Sequence, residues 1–400
     1  MGVKSLLALL LAVAGLAILA PPAQAADLAN TVPPSISGHA KFDAELVADP
    51  GEWTPPATSY SYRWLRDGEP IKGARDATYH PGLDDLGHRI SVRVAAADDA
   101  GQTGTATSAE TEPIERAQLR AKGGQEVAGI ARYTHTLTAR PGRWNAEPTR
   151  LRFQWRRNRV DIPGATARRF AIRPEDLGAR LRVRITAKAP GYEEASVTTH
   201  PTRRVQHRVD VRRVVRYHIE SRGHVTASLR KFAVQAQETF DDPRGWRAAG
   251  IDFRRVAGGG SMTLVLAEAR TVPSFSSACS ADWSCRVGRF VIINQTRWLH
   301  ASPAWNAAHG PLRGYRHMVV NHETGHFLGL GHSGCPGKGR PAPVMMQQSK
   351  GLHGCRFNSW PIPREIAGRT PSSRSGPPGG TMARGTEVGL PSGHRRVTAE

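Results

Sequence analysis

The sequence predicts a multidomain fold in which two all-β sandwich repeats precede an α+β domain. Three observations carry this reading. Residues 51–94 lie over residues 142–185 at a constant offset of 91, so that Trp53 meets Trp144, Trp64 meets Trp155, Tyr79 meets Phe170 and Asp85-Leu86-Gly87 meets Asp176-Leu177-Gly178; a match of that length without a gap is an internal repeat. Inside each copy the apolar residues alternate, Ile90, Val92 and Val94 in the first and Leu181, Val183 and Ile185 in the second, which is the period-2 pattern of a half-buried antiparallel strand. From about residue 205 the period changes, and TASLRKFAVQAQETF (226–240) carries apolar residues at helical spacing.

Along the chain, residues 1–25 read as a signal peptide. Lys4 gives a positive start, LLALLLAVAGLAILA is an apolar run of signal length, and Ala23-Gln24-Ala25 is a small-x-small cleavage pattern. No later stretch is apolar for long enough to span a bilayer, so no transmembrane segment is expected once the signal is removed. Residues 28–115 and 116–204 form the two repeats, with Trp64 and Trp155 expected to fill their cores. The copies resemble the immunoglobulin-like repeats of bacterial surface proteins, which implies spacer or wall-binding roles.

Residues 205–370 are expected to run β–α–β–β–β–α. VDVRRVVRYHIE, IDFRRVA, MTLVLAEA and RFVIINQTRW supply the strands, and a final helix starts near Gly310-Pro311. The last 30 residues, 371–400, are rich in Gly, Pro and Ser and read as a disordered basic tail.

The four cysteines all fall late in the chain, and an even count in an exported protein reads as two disulfides. Three connectivities are open; Cys279–Cys285 with Cys335–Cys355 is the local one. A four-cysteine zinc site is the rival, and it lacks the close C-x-x-C pairs such sites use.

The formal charge of +21 would draw an extracellular protein, free or wall-associated, to anionic wall polymers or membrane surfaces. Nucleic acid, the other usual partner of such charge, is not expected. The arginines are scattered along the sequence, and a coding bias towards Arg explains their number as well as any partner does, so charge carries no functional assignment.

The chemistry concentrates in HETGHFLGLGH, residues 322–332. His322 and His326 lie ~40° apart round a helix and ~6 Å apart along it, so both imidazoles can face one ion. Glu323 is displaced by ~100° from the first ligand, poorly placed to bind metal but well placed to touch a water on it. Continued as helix, His332 would lie ~240° round the axis and ~9 Å beyond His326. The chain must therefore turn back, and Gly329 is where positive φ is accessible. Three histidines closing on one Zn2+ per chain leave the fourth position for water, whose proton Glu323 can take as general base.

The pattern H-E-x-x-H-x-x-G-x-x-H resembles the signature of the metzincin superfamily of zinc endopeptidases. The longer string through Cys355 resembles a family of secreted actinobacterial proteins. The resemblance covers about residues 205–365 and implies a metzincin-like fold, Zn2+ and hydrolysis of protein or peptide substrates. It also implies a methionine turn under the metal, for which Met345 or Met346 is available, Met345 being preferred directly after Val344. It implies an antiparallel edge strand that pairs with extended substrate, assigned to residues 289–298. No cysteine precedes Cys279 to act as a propeptide switch, and the last tyrosine is Tyr315, so the tyrosine that follows the methionine turn in some metzincins is missing. The function expected is a secreted zinc endopeptidase. The alternatives are a cell-surface or wall-binding protein with an inactive or structural domain of this kind, and a peptidoglycan amidase. The intact Glu323 favours the first.

Overall fold

The structure, a computed structural model, describes residues 28–367. The expected signal peptide (1–25) and basic tail (371–400) lie outside the described residues. The chain divides into two units between Gln206 and His207.

The first unit is all β and holds both repeats. In the first, Ser35–Gly38, Leu46–Asp49 and Thr78–Tyr79 make one sheet, and Glu69–Pro70, Ser59–Arg66, Ile90–Ala97 and Thr103–Thr107 make the other. In the second, Ala121–Ala128, Thr136–Trp144 and Arg169–Ala171 face Val160–Asp161, Arg150–Arg157, Leu181–Lys188 and Ala195–Thr198. Inward residues of both sheets share one core in each repeat. Leu46 and Ala48 pack with Trp64, Ile90, Val92 and Val94 in the first, and Leu137 and Ala139 with Trp155, Leu181, Val183 and Ile185 in the second. The layout is a sandwich. Each core tryptophan is fully buried and donates its indole N–H to a backbone carbonyl, Asp76 or Ala167, at 2.9 Å, so the largest core side chain leaves no polar atom unpaired.

The second unit is α+β. Its elements are β1 (Arg213–Arg222), α1 (Leu229–Asp241), β2 (Ile251–Arg255), β3 (Met262–Ala267), β4 (Cys285–Val287), β5 (Phe290–Asn294), α2 (Gln295–His300), α3 (Pro303–Ala307), α4 (Leu312–Phe327) and α5 (Pro363–Ala367). They form one five-stranded sheet in the order β2-β1-β3-β5-β4, parallel throughout except for β4. β3 is buried at every residue, as expected of a parallel strand covered on both faces. On one face Val215, Tyr217, Leu264, Leu266, Val291 and Ile293 pack with Phe232, Phe240, Met318 and Val320 of α1 and α4. On the other, Val265 and Ile292 pack with Val272 and Cys279. Ser228 caps α1 by accepting from the Lys231 N–H at 3.3 Å.

One expectation is corrected. The strand assigned to residues 289–298 is interior, bounded by β3 on one side and β4 on the other, and the edge is β4. The reason is visible in its residues: Val291-Ile292-Ile293 are buried on both faces, which an edge strand avoids. Strand geometry also stops at Asn294, whose side chain accepts from the Thr296 N–H at 2.9 Å and starts α2. The observed order therefore adds β4, α2, α3 and α5 to the expected β–α–β–β–β–α. No helix among the described residues is long and apolar enough to cross a membrane.

Candidate metal centre

α4 is buried almost all round over its last two turns: Val320, Asn321, His322, Glu323 and Thr324 are all buried. Close packing at Gly325 permits this. A Cβ there would overlap Met345 Sδ and come 2.9 Å from Trp246 Cζ2. Trp246 is tied to the same turn, its indole N–H donating to Asn321 O at 3.0 Å. Met345 thus packs against α4 at Gly325, in the main core. Met346 points instead into a small cluster with Ala342 and Cys355.

The helix ends in a Schellman turn. Gly329 has φ +87°, its N–H donates to His326 O at 2.9 Å, and the Leu330 N–H reaches back to Gly325 O at 3.0 Å. The reversal brings His332 to the helix. His326 Nε2 lies 3.2 Å from His322 Nε2 and 3.1 Å from His332 Nε2.

The Nε2 atoms of His322 and His326 cannot be hydrogen-bonded to one another in the ordinary way. His322 Nδ1 donates to Val344 O and His326 Nδ1 to Leu330 O, both at 2.8 Å. Carbonyls accept only, so each Nδ1 carries the proton and each Nε2 presents a lone pair. Burial, with a neighbouring imidazole second, holds His322 neutral down to about 3, and burial also lowers His326 and His332. Lone pairs converging at this distance repel unless a cation lies among them. Nitrogens in a tetrahedral zinc site stand about 3.4 Å apart. The donor set therefore fits a three-histidine metal site, and carbonyl-oriented imidazoles are what such sites use.

The segment that orients His322 is itself clamped. Val344 N–H and Met345 N–H donate to the Glu365 carboxylate at 3.1 and 2.8 Å, and Ile362 N–H joins them at 2.8 Å. Ser333 N–H donates to Met345 O at 3.1 Å, fixing the residue next to His332. Sequence reasoning missed Glu365 and Trp246. Pro363 followed two residues later by Glu365 is a helix-start signal, but nothing local says that this carboxylate also holds a turn 20 residues upstream.

Glu323 is 5% exposed, and burial alone pushes its carboxyl up to about 8. A cation on the three histidines would draw it down again. It lines a cavity of 570 Å³ with the three histidines. One wall of that cavity is the Ala278–Arg286 segment, the loop that leads into β4, and another is Gln347–Lys350. Cys279–Cys285 closes the first wall and Cys335–Cys355 encloses the segment that carries Met345; closing a loop of that second size stabilises by ~3 kcal/mol on the chain-entropy account. Tyr315, from within α4, donates or accepts at Ser349 Oγ at 2.9 Å, joining the helix to the second wall.

Residues 190–356 match the model of a family described as "Protein of unknown function (DUF3152)". That span contains the three histidines, Glu323, Met345 and all four cysteines, and stops short of Glu365. No curated protein matches the chain. Among solved structures, the three N-terminal domains of the bacteriophage RB49 Highly Immunogenic Outer Capsid protein match with 16% identity and a TM-score of 0.22, over 48% of this chain and 66% of that one. A segment of two fibronectin type-III domains from chicken tenascin matches with 13% identity and a TM-score of 0.21, over 42% of this chain and 99% of that one. The tandem Ig repeats of Dlar match with 14% identity and a TM-score of 0.15, over 44% of this chain and 98% of that one.

Proposed function

We propose that the second unit is a secreted, zinc-dependent endopeptidase of metzincin type, carried behind two immunoglobulin-like repeats. One observation carries the proposal: three histidines whose Nε2 atoms converge, two of them fixed by backbone carbonyls with the Nε2 lone pair facing inward, share a cleft with a buried glutamate that no basic side chain neutralises. A purely structural site closes all four positions with protein ligands. Here the cavity opens at the triad, and among the described residues the candidate cluster holds only His322, His326 and His332.

Zn2+ in this position supplies Lewis acidity, which lowers the pKa of water and polarises a peptide carbonyl. The rest falls to the chain. Glu323 accepts the proton of the attacking water on a carboxylate oxygen and delivers it to the leaving amine. The free side of β4 offers unpaired backbone groups to an extended peptide, which β-augmentation would align along the cleft. Val344 O and Leu330 O keep two imidazoles in one tautomer throughout. Paired cysteines support an extracellular setting.

Elemental analysis and casein cleavage test the proposal together. The wild type should hold one zinc per chain and lose cleavage in 1,10-phenanthroline, and His326→Ala should hold no zinc. Stoichiometric zinc in that variant overturns the ligand assignment. A wild type that holds zinc yet cleaves nothing across a broad peptide library overturns the peptidase in favour of a wall-binding protein.

A further inference from the structure

The arginines that look scattered in the sequence gather when the second repeat folds. Arg150–Arg157 and Leu181–Lys188 pair antiparallel with Arg150 opposite Lys188, Arg152 opposite Thr186, Gln154 opposite Arg184 and Arg156 opposite Arg182. Alternation turns Leu181, Val183, Ile185 and Ala187 into the core, each 0% exposed. The opposite face therefore carries Arg150, Arg152, Arg156, Arg182, Arg184 and Lys188. Two carboxylates answer them: Asp161 pairs with Arg156 at 2.7 Å and Arg184 at 3.0 Å, and Glu194 pairs with Arg152. Six cations against two anions leave four positive charges on one face of a single sheet.

The first repeat supplies an internal control. Its strands pair in the same register at the offset of 91, with Ser59 opposite Ala97, Ser61 opposite Ala95, Arg63 opposite Arg93 and Leu65 opposite Ser91. That face has two cations where its sister has six. A coding bias towards arginine acts on both repeats alike and cannot produce the difference, and neither can a requirement of the fold, since both copies fold.

We propose that this face of the second repeat is a docking surface for a linear polymer that carries a phosphate in each unit and no bases. Arginine, five of the six cations, has a planar fork that takes phosphate oxygens two at a time. Successive outward side chains on a strand stand about 6.7 Å apart, so the two strands offer two parallel rows of cations to an extended chain. A groove of 770 Å³ runs along the face at Arg150, Arg152 and Arg184, with Thr186 and Ser196 on its wall. Single-stranded nucleic acids are held by aromatic side chains on which bases stack. No outward position of these strands carries an aromatic residue, and the one aromatic that lines the groove, Phe153, is packed against the core of the repeat, which leaves charge and hydroxyl contacts as the mode of binding.

The test uses the full chain and end-labelled poly(glycerol phosphate), read by fluorescence anisotropy at low ionic strength. Arg150→Ser, Arg152→Ser and Lys188→Ala together install what the first repeat has at those three places, and should weaken binding by about tenfold or more. Arg120→Ser, Lys122→Ser and Arg143→Ser remove equal charge from the other side of the same repeat and should weaken it less than about threefold. Lys188→Ala alone, with a melting temperature equal to wild type, should give a smaller loss in the same direction. Equal losses in the two triple variants, or no binding by the wild type, overturn the proposal. Tighter binding of charge-matched single-stranded DNA overturns it in favour of nucleic acid. Equal binding of poly-glutamate overturns the assignment to phosphate.

Discussion

Asp176 in the second repeat and Glu323 in the second unit are both buried carboxylates, and they are treated in opposite ways. Asp176 accepts from Arg157 Nε and from the Arg173 N–H, both at 2.7 Å. Its counterpart Asp85 accepts from Arg66 Nε and Tyr79 OH at 2.7 Å and from the Gly82 N–H at 2.6 Å. Each charge is matched by a cation and held by a backbone donor. The usual cost of burying it is offset. Glu323 has burial without compensation. Within the second unit the contrast recurs, because Glu365 takes three backbone N–H groups and serves as a clamp. What separates the structural carboxylates of this chain from the proposed base is thus the count of donors aimed at each.

Glu323→Gln removes the uncompensated carboxylate and should have the largest effect. If the uncompensated carboxylate is the base, peptide cleavage falls ~100-fold or more while zinc content and fold are retained, the usual scale for loss of a general base. Full activity in the variant would remove Glu323 from the mechanism. Next in size is Asp176→Ala, which leaves Arg157 without its partner. Breaking a buried pair costs about 3 kcal/mol where, as here, the arginine is partly exposed. Denaturant melts should show the loss in the repeats, with zinc content unchanged; a change in zinc would mean that the two treatments of carboxylate are not independent.

A smaller effect concerns His317, buried on the outer side of α4 with Thr239 Oγ1 2.8 Å from its Nδ1 and the Trp360 ring beside it. Burial lowers it to about 4. Between that value and the ordinary ~6.5 the unfolded chain binds the extra proton, so stability is full above about pH 6.5 and falls as pH drops towards 4. His317→Asn should flatten this segment of the stability curve by about 1–3 kcal/mol relative to wild type. An unchanged slope would assign the acid loss to other groups. The smallest expected effect is Tyr79→Phe, which gives the first repeat the ring its sister already uses at Phe170. Losing one of three bonds to Asp85 should cost about 1 kcal/mol or less by thermal melt, and a cost above about 2 kcal/mol would show that the two corners are not equivalent.

Whatever depends on short spacing is legible in the chain alone. Period-2 and period-3.6 patterns set element types, the offset of 91 makes two copies of one fold visible, and the interval from His326 to His332 requires a reversal that Gly329, at φ +87°, provides. These follow from backbone geometry within a few residues, where chain connectivity fixes distance. It took the folded arrangement to show which strands are the sheet edges, that Met345 rather than Met346 packs against α4, that Glu365 holds the Val344-Met345 backbone, and that scattered arginines form two rows on one face. Each depends on which distant segment lies alongside. Pairing of that kind is set by burial of whole faces rather than by any local pattern. The residues of β5 state that it is buried on both sides without naming the neighbour that buries it, because β4 is a three-residue strand with little pattern of its own.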